Sequence, residues 1–176
     1  MAATDADLLP PSADPNTRKL TYRQVKARNE NSSRTAVSVR DTPGFALDEP
    51  LERGGTNTGA TPVETVIGAL CGCDSVITHI CAGLLGFKYS GIEYDAESTV
   101  DIRGPSGVKG VRPYFEKLVV NITMYTDEPA DRVAKLERNV AQRCPVSNLI
   151  KDAGVDLQMN RTIRPAAAFH AAKAAK

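Results

Sequence analysis

A run of 24 residues, Pro62–Leu85, constrains this chain more than any other part of it. Its apolar side chains go almost all the way round, the pattern of a helix covered on every side by its own fold. At 1.5 Å per residue it would be roughly 36 Å long, well beyond an ordinary surface helix. Thr61 is a candidate N-cap, Pro62 takes the first helical position where a missing N–H costs nothing, and Glu64 closes a capping box. Gly86 is a natural stop. A membrane span would have the same length, but Glu64, Asp74 and His79 lie inside the run and no basic cluster flanks it, so it reads as a core helix.

With 176 residues the chain suits one domain with a sizeable core, expected over residues 19–165, after a polar, proline-containing arm (1–18) and before an alanine-rich tail (166–176). A net charge of +1 and an aromatic content of 5% suggest neither a nucleic-acid footprint nor a membrane-surface patch. The N-terminus has acids and prolines and no apolar stretch of signal-peptide length, which points to the cytoplasm. In that reducing compartment four cysteines are catalytic, redox-active or simply buried, and not a disulfide framework. Cys71-x-Cys73, Cys81 and Cys144 lack a second close pair or a nearby His cluster, so no metal site is expected.

Around the long helix, the pattern predicts short extended segments at 21–27, 35–40 and 44–48, separated by the turn-formers of 29–33 and 41–44. An antiparallel meander is the simplest arrangement. The linker DEPLERGGTNTGATP then delivers the chain to the helix. Beyond it, residues 92–103 alternate without a fault, with Ile92, Tyr94, Ala96, Ser98, Val100 and Ile102 on one face. A second strand at 114–125 places Leu118, Val120, Ile122 and Met124 on its buried side. Asp127 is a candidate cap for an amphipathic helix at 128–143 with Val133, Leu136 and Val140 as its stripe. Pro145 interrupts it, Ser147 can cap a short helix, Gly154 can end that helix, and 155–163 is a last strand. The order argues for an α+β fold: an antiparallel sheet wrapped around a long buried central helix. One modest chain is short of material to cover such a helix, and an intertwined homodimer would supply it.

Two cysteines stand in distinctive settings. Cys73 lies on the long helix between Gly72 and Asp74, with room beside it. Cys144 sits at a helix break just before Pro145, where the following helix N-terminus would favour thiolate. Two thiols so placed are the minimum for one that is oxidised and one that resolves it as a disulfide; small buried hydrophobes are the bland alternative. Asp74 would raise the pKa of a thiol it faced, and is expected to turn away toward Thr78 or another partner. His79 reads as a satisfied buried histidine, Cys71 as packing or a third redox thiol, and Cys81 as core.

The segment TPVETVIGALCGCDS resembles the helix entry of the OsmC/Ohr family (osmotically inducible protein C and organic hydroperoxide resistance proteins), in which a Pro, a Glu and a small-residue stretch precede the reactive Cys. RCPVSNLI is similar to its second cysteine motif, and DEPLERGG to its lead-in. The resemblance implies a thiol peroxidase reducing organic hydroperoxides, with Cys73 the peroxidatic thiolate and Cys144 the resolving thiol. It also implies intertwined dimers with apolar sites at the subunit boundary, a dithiol reductant that is lipoyl-type in several members, and no metal or organic cofactor.

The hydroperoxide-resistance branch has its Glu immediately after the Pro and an Arg from an N-terminal strand, both serving the thiolate. Here the acid is one place later, at Glu64, which turns a helical side chain by about 100° and leaves it roughly 13 Å along the axis from Cys73. Glu64 is thus either an activator reached through a bend near Gly68 or Gly72, or across a dimer, or only the capping partner of Thr61. Arg34 is nearest the family's Arg position, with Arg28 and Arg40 as alternatives. Three functions follow: the peroxidase, a dimeric binding module for a small hydrophobic ligand, and a redox sensor without turnover.

Overall fold

The computed structural model describes residues 8–10, 14 and 16–169. Two compact units divide the chain, one running from Pro11 to Gly68 and the other from Ala69 onward together with the segment up to Pro10.

In the first unit, β1 (Lys26–Asn29), β2 (Thr35–Ser38) and β3 (Phe45–Leu47) form the expected antiparallel meander. The β1–β2 turn is tied by Asn29, whose amide donates to the carbonyls of Ser32 and Arg34 at 2.8 and 3.1 Å. β1 begins at Lys26 and not at residue 21, because Lys26 lies opposite Ser38 and β2 ends there. Leu20 and Tyr22, ahead of the ladder, are left exposed.

After β3 the chain closes around one carboxylate. Asp48 is buried and accepts hydrogen bonds from the Ser33 hydroxyl, from the backbone N–H of Glu49, Thr56 and Thr58, and from the hydroxyls of Thr56 and Thr58. These donors, led by the Thr56 hydroxyl, hold its pKa well below the usual carboxylate range. A 3₁₀ turn at Leu51–Arg53 tightens the loop. At Gly55 a Cβ would stand 1.7 Å from the Glu49 carbonyl oxygen, so only glycine lets the two backbone segments come this close. The lead-in rich in Thr, Asn and Gly is thereby a shell of donors for Asp48. Helix α1 (Pro62–Leu85) then starts with the capping box its sequence predicts: Glu64 Oε2 accepts from Thr61 N–H at 2.8 Å and Thr61 Oγ1 from Glu64 N–H at 3.2 Å.

In the second unit α1 runs on to Leu85 and stops at Gly86, whose φ is 60°. Phe87 N–H returns to the Ala82 carbonyl at 2.9 Å and Gly86 N–H to that of Gly83 at 3.3 Å, a Schellman stop. The sheet has the order β4 (Gly91–Val100), β5 (Phe115–Tyr125), β6 (Asp156–Arg164). β4 and β5 are antiparallel, but β6 runs parallel to β5, so this sheet is mixed and not wholly antiparallel. The two helices between them, α2 (Ala130–Arg143) and α3 (Pro145–Asp152), form a crossover that returns the chain to the starting edge, which makes the next strand parallel. β5 carries the predicted buried set Leu118, Val120, Ile122 and Met124. Met124 shares a core cluster with Cys81, Phe87, Val133, Leu136 and Val140.

Several local expectations are corrected. Asp127 does not cap α2: Pro129 holds that position, and the Asp127 carboxylate accepts from Ala166 N–H at 3.1 Å. Part of the N-terminal arm is anchored, since Leu9 N–H donates to Asn139 Oδ1 at 2.7 Å and Arg143 donates to the Leu9 carbonyl at 2.7 Å. The rest of the expected arm, residues 1–7, 11–13 and 15, and the tail from residue 170, lie outside the described residues. Before that point Phe169 packs its ring 5.2 Å from that of Tyr125. The long helix is not covered all round, for Val76, Ile80 and Leu84 are each about half exposed or more.

Because the folded-state pKa of Asp48 is depressed, its contribution to stability is present above the unfolded carboxylate value of about 4 and is lost as pH falls below it. Asp48→Ala is expected to lower the thermal midpoint by several degrees at pH 7 and to flatten its decline between pH 5 and pH 3. Circular-dichroism melts across that range check both; an unchanged midpoint at pH 7 would rule out Asp48 as a stabiliser of the lead-in loop.

Candidate functional site

The second unit brings Cys73 and Cys144 together. Cys73 comes from α1 and is half-buried; Cys144 sits between α2 and α3 and is fully buried. The two lie near enough for Cys73 to act on the Cys144 thiol, and both cysteines are free. Cys144 is the N-cap of α3, a place the sequence gives to Ser147: its Sγ accepts from Ser147 N–H at 3.5 Å. The proline decides this. Pro145 at the first helical position holds Cys144 in an extended conformation, so the helix begins immediately after it.

A helix N-terminus is expected to favour thiolate, yet the Cys144 thiol is pushed up to about 11. Burial is the main cause; the Ser147 N–H pulls the other way, while Cys73 and the Asp74 charge add to the rise. Cys144 thus keeps its proton at neutral pH. Burial, followed by the Asp74 charge, also raises Cys71, and burial raises Cys81 in the core.

Asp74 does not turn to Thr78. Its carboxylate accepts from the Tyr94 hydroxyl on β4 at 2.9 Å, and Arg161 Nη2 on β6 lies 3.9 Å away, with the Asp74 and Arg161 side chains only 4% and 10% exposed. Arg161 Nε is paired with Glu137 on α2 at 3.2 Å. Burial, then the charge of Asp74, drives the Tyr94 hydroxyl pKa far upward, so Tyr94 stays a donor. His79, expected to be buried, is exposed, with Nδ1 3.4 Å from the Tyr89 hydroxyl.

Arg161 and Tyr94 are the residues that sequence reasoning missed as site members. The signal for Arg161 was present: Leu157, Met159 and Arg161 share the inward phase of β6, and a charge in that phase needs a partner. A cavity of about 270 Å³ opens beside this group, lined by Asp74, Glu137, Ser147, Lys151 and Arg161, with Val140 and Met159 on its apolar side. Its lining is largely charged.

The other two predicted residues lie in the first unit. Glu64 serves Thr61 in the capping box, and hydrogen bonds from Thr61 hold its pKa below the ordinary value. Arg34 donates from Nε to Thr58 Oγ1 at 3.1 Å and pairs with Glu30 at 3.5 Å. Through Thr58 it rests on the Asp48 shell.

Removing the Asp74 charge is expected to lower the titration of the thiols it disfavours. In Asp74→Asn, thiolate absorbance at 240 nm rises at lower pH than in wild type; a curve that stays put or moves upward contradicts this electrostatic account.

The OsmC-like protein family matches residues 55–160. No curated protein matches the sequence significantly. Among solved structures, an OsmC-like protein from Mycoplasma pneumoniae has a TM-score of 0.68 at 15% identity, over 81% of this chain and 97% of its own. An organic hydroperoxide resistance protein from Elizabethkingia anophelis gives 0.65 at 13%, over 84% and 100%. An organic hydroperoxide resistance protein OsmC from Legionella pneumophila gives 0.62 at 16%, over 82% and 99%. At these identities the likeness is one of fold. With its α+β architecture, the match over more than half its length and these neighbours, the chain belongs to the OsmC-like protein family.

Proposed function

We propose that this OsmC-like chain is a cytoplasmic, thiol-dependent peroxidase that reduces organic hydroperoxides. The observation that carries the proposal is the nearness of two free cysteines, Cys73 on α1 and Cys144 at the start of α3, the first acting on the thiol of the second. The thiolate of Cys73 attacks the outer oxygen of a hydroperoxide, breaking the O–O bond; the product alkoxide takes a proton and leaves as an alcohol, and Cys73 becomes a sulfenic acid. The Cys144 sulfur then attacks the sulfenic sulfur, giving a Cys73–Cys144 disulfide and water. A small dithiol, lipoyl-type by analogy with relatives, reduces the disulfide while it is itself oxidised. The raised pKa of Cys144 argues against its being the sulfur that attacks the peroxide.

The resemblance gives Arg34 and Glu64 the task of activating the thiolate. Their observed bonds support structural roles, Glu64 as a cap and Arg34 as a brace on the lead-in loop. A homodimer belongs to the proposal as well: Val76, Ile80 and Leu84 expose an apolar stripe at helical spacing on α1, and a second copy would cover it. One observation favours the redox-sensor reading, namely that Asp74 works against thiolates nearby.

Reduced wild-type protein with a dithiol is expected to consume cumene hydroperoxide catalytically, and Cys73→Ser to lose roughly 100-fold or more of that rate. Cys144→Ser should give a single turnover and no intramolecular disulfide by mass spectrometry. A Cys73→Ser variant as active as wild type sinks the enzyme, while disulfide formation without turnover leaves a sensor. Ile80→Glu should halve the mass measured by light scattering; a wild-type monomer would dispose of the dimer.

A further inference from the structure

The cavity beside the thiol pair offers a guest an unusual set of groups. Arg161 enters it from β6 with two of its nitrogens engaged, Nε by Glu137 and Nη2 facing Asp74. Nη1 is buried and has no hydrogen-bond partner among the described residues. A buried guanidinium N–H without an acceptor is costly, so this donor calls for a group to satisfy it. Lys151 on α3 lines the same cavity, and no carboxylate lies within ion-pair distance of it among the described residues. The two carboxylates in the lining are committed, Glu137 to Arg161 and Asp74 to Tyr94 and Arg161. What remains on offer is cationic.

We infer that this cavity is a binding site for a short monoanionic organic acid, whose carboxylate pairs with the guanidinium of Arg161 and with Lys151, and that carboxylate-bearing hydroperoxides are therefore preferred to neutral ones. A carboxylate is the acceptor that suits a guanidinium fork and a nearby ammonium. A dianion such as phosphate would meet stronger repulsion from Asp74 and Glu137. The volume of about 270 Å³ is at the low end for ligand pockets, which fits a short acid and not a long acyl chain, with Val140 and Met159 to receive its apolar part. The cavity is lined by the residue after Cys73, Asp74, and by Ser147, whose N–H goes to Cys144, and not by the sulfurs themselves. The substrate preference rests on the peroxidase reading; the acid-binding site does not.

Binding is measured first, by calorimetry on full-length Cys73→Ser protein with pentanoate and with methyl pentanoate. The acid is expected to bind about tenfold more tightly than the ester. Adding Lys151→Gln or Arg161→Met should remove about that factor for the acid and leave the ester unchanged. Lys151 is exposed, so Lys151→Gln keeps the test decisive if Arg161→Met fails to fold. Equal binding of acid and ester, no binding of either at millimolar concentration, or acid binding indifferent to Lys151→Gln overturns the site. Wild-type protein is then given a short hydroperoxy acid and its methyl ester: kcat/KM about tenfold higher for the acid supports the substrate assignment, and equal values overturn it. If pentanoate binds as expected and neither peroxide is reduced, the peroxidase reading fails and the acid-binding site stands.

Discussion

A buried carboxylate next to a cysteine is the constraint around which the second unit is arranged. Taking an ionised Asp74 out of water costs several kcal/mol unless its charge is compensated, and here compensation arrives from two strands. Tyr94 on β4 donates a hydrogen bond, and Arg161 on β6 supplies the opposing charge. Arg161 is in turn steadied by Glu137 on α2. One electrostatic requirement therefore fastens α1, β4, β6 and α2 to one another at the place where the two thiols meet. The same groups shape the chemistry, because the field of Asp74 bears on Cys144 and Cys71 directly.

That field also separates two cysteines that look alike in sequence. Cys144 caps a helix, which by itself would stabilise a thiolate, yet it is buried beside a second sulfur and near a carboxylate, and these outweigh one weak N–H···S bond. The N-cap therefore acts as a clamp on position more than as an activator. It fixes the sulfur relative to α3, and Pro145 fixes the cap.

Much of this was legible in local patterns. The capping box at Thr61 and Glu64, the stop at Gly86 and the alternation of β5 are each written in a few adjacent residues and form as read, whereas β4 alternates only to Val100 and Ile102, read as part of its inward face, is exposed. The pairing of Cys73 with Cys144 was reached through motif resemblance, since 71 residues separate them and no local rule joins them. What escaped depended on long-range relations. The direction of β6 follows from the two-helix crossover, not from its own alternation. Asp127 looks like a cap, but Pro129 starts the helix later and Ala166 claims the carboxylate. Arg161 was hidden because an alternating strand was scored by its apolar members, and the charged residue in the same phase passed as a neighbour. Its meaning lies in Asp74, 87 residues earlier.

The geometry of α1 joins the buried carboxylate to the exposed apolar stripe. At about 100° per residue, Leu70, Asp74, Thr78, Cys81 and Ala82 fall on one side, which is the buried one. Val76, Ile80 and Leu84 fall on the other and are exposed. Cys73 stands three, seven and eleven residues before those three, in line with the exposed stripe, while its thiol reaches Cys144 on the buried side. It occupies the seam between a charged interior and an apolar exterior. A second copy seated on Val76, Ile80 and Leu84 would exclude water from the outer flank of Cys73.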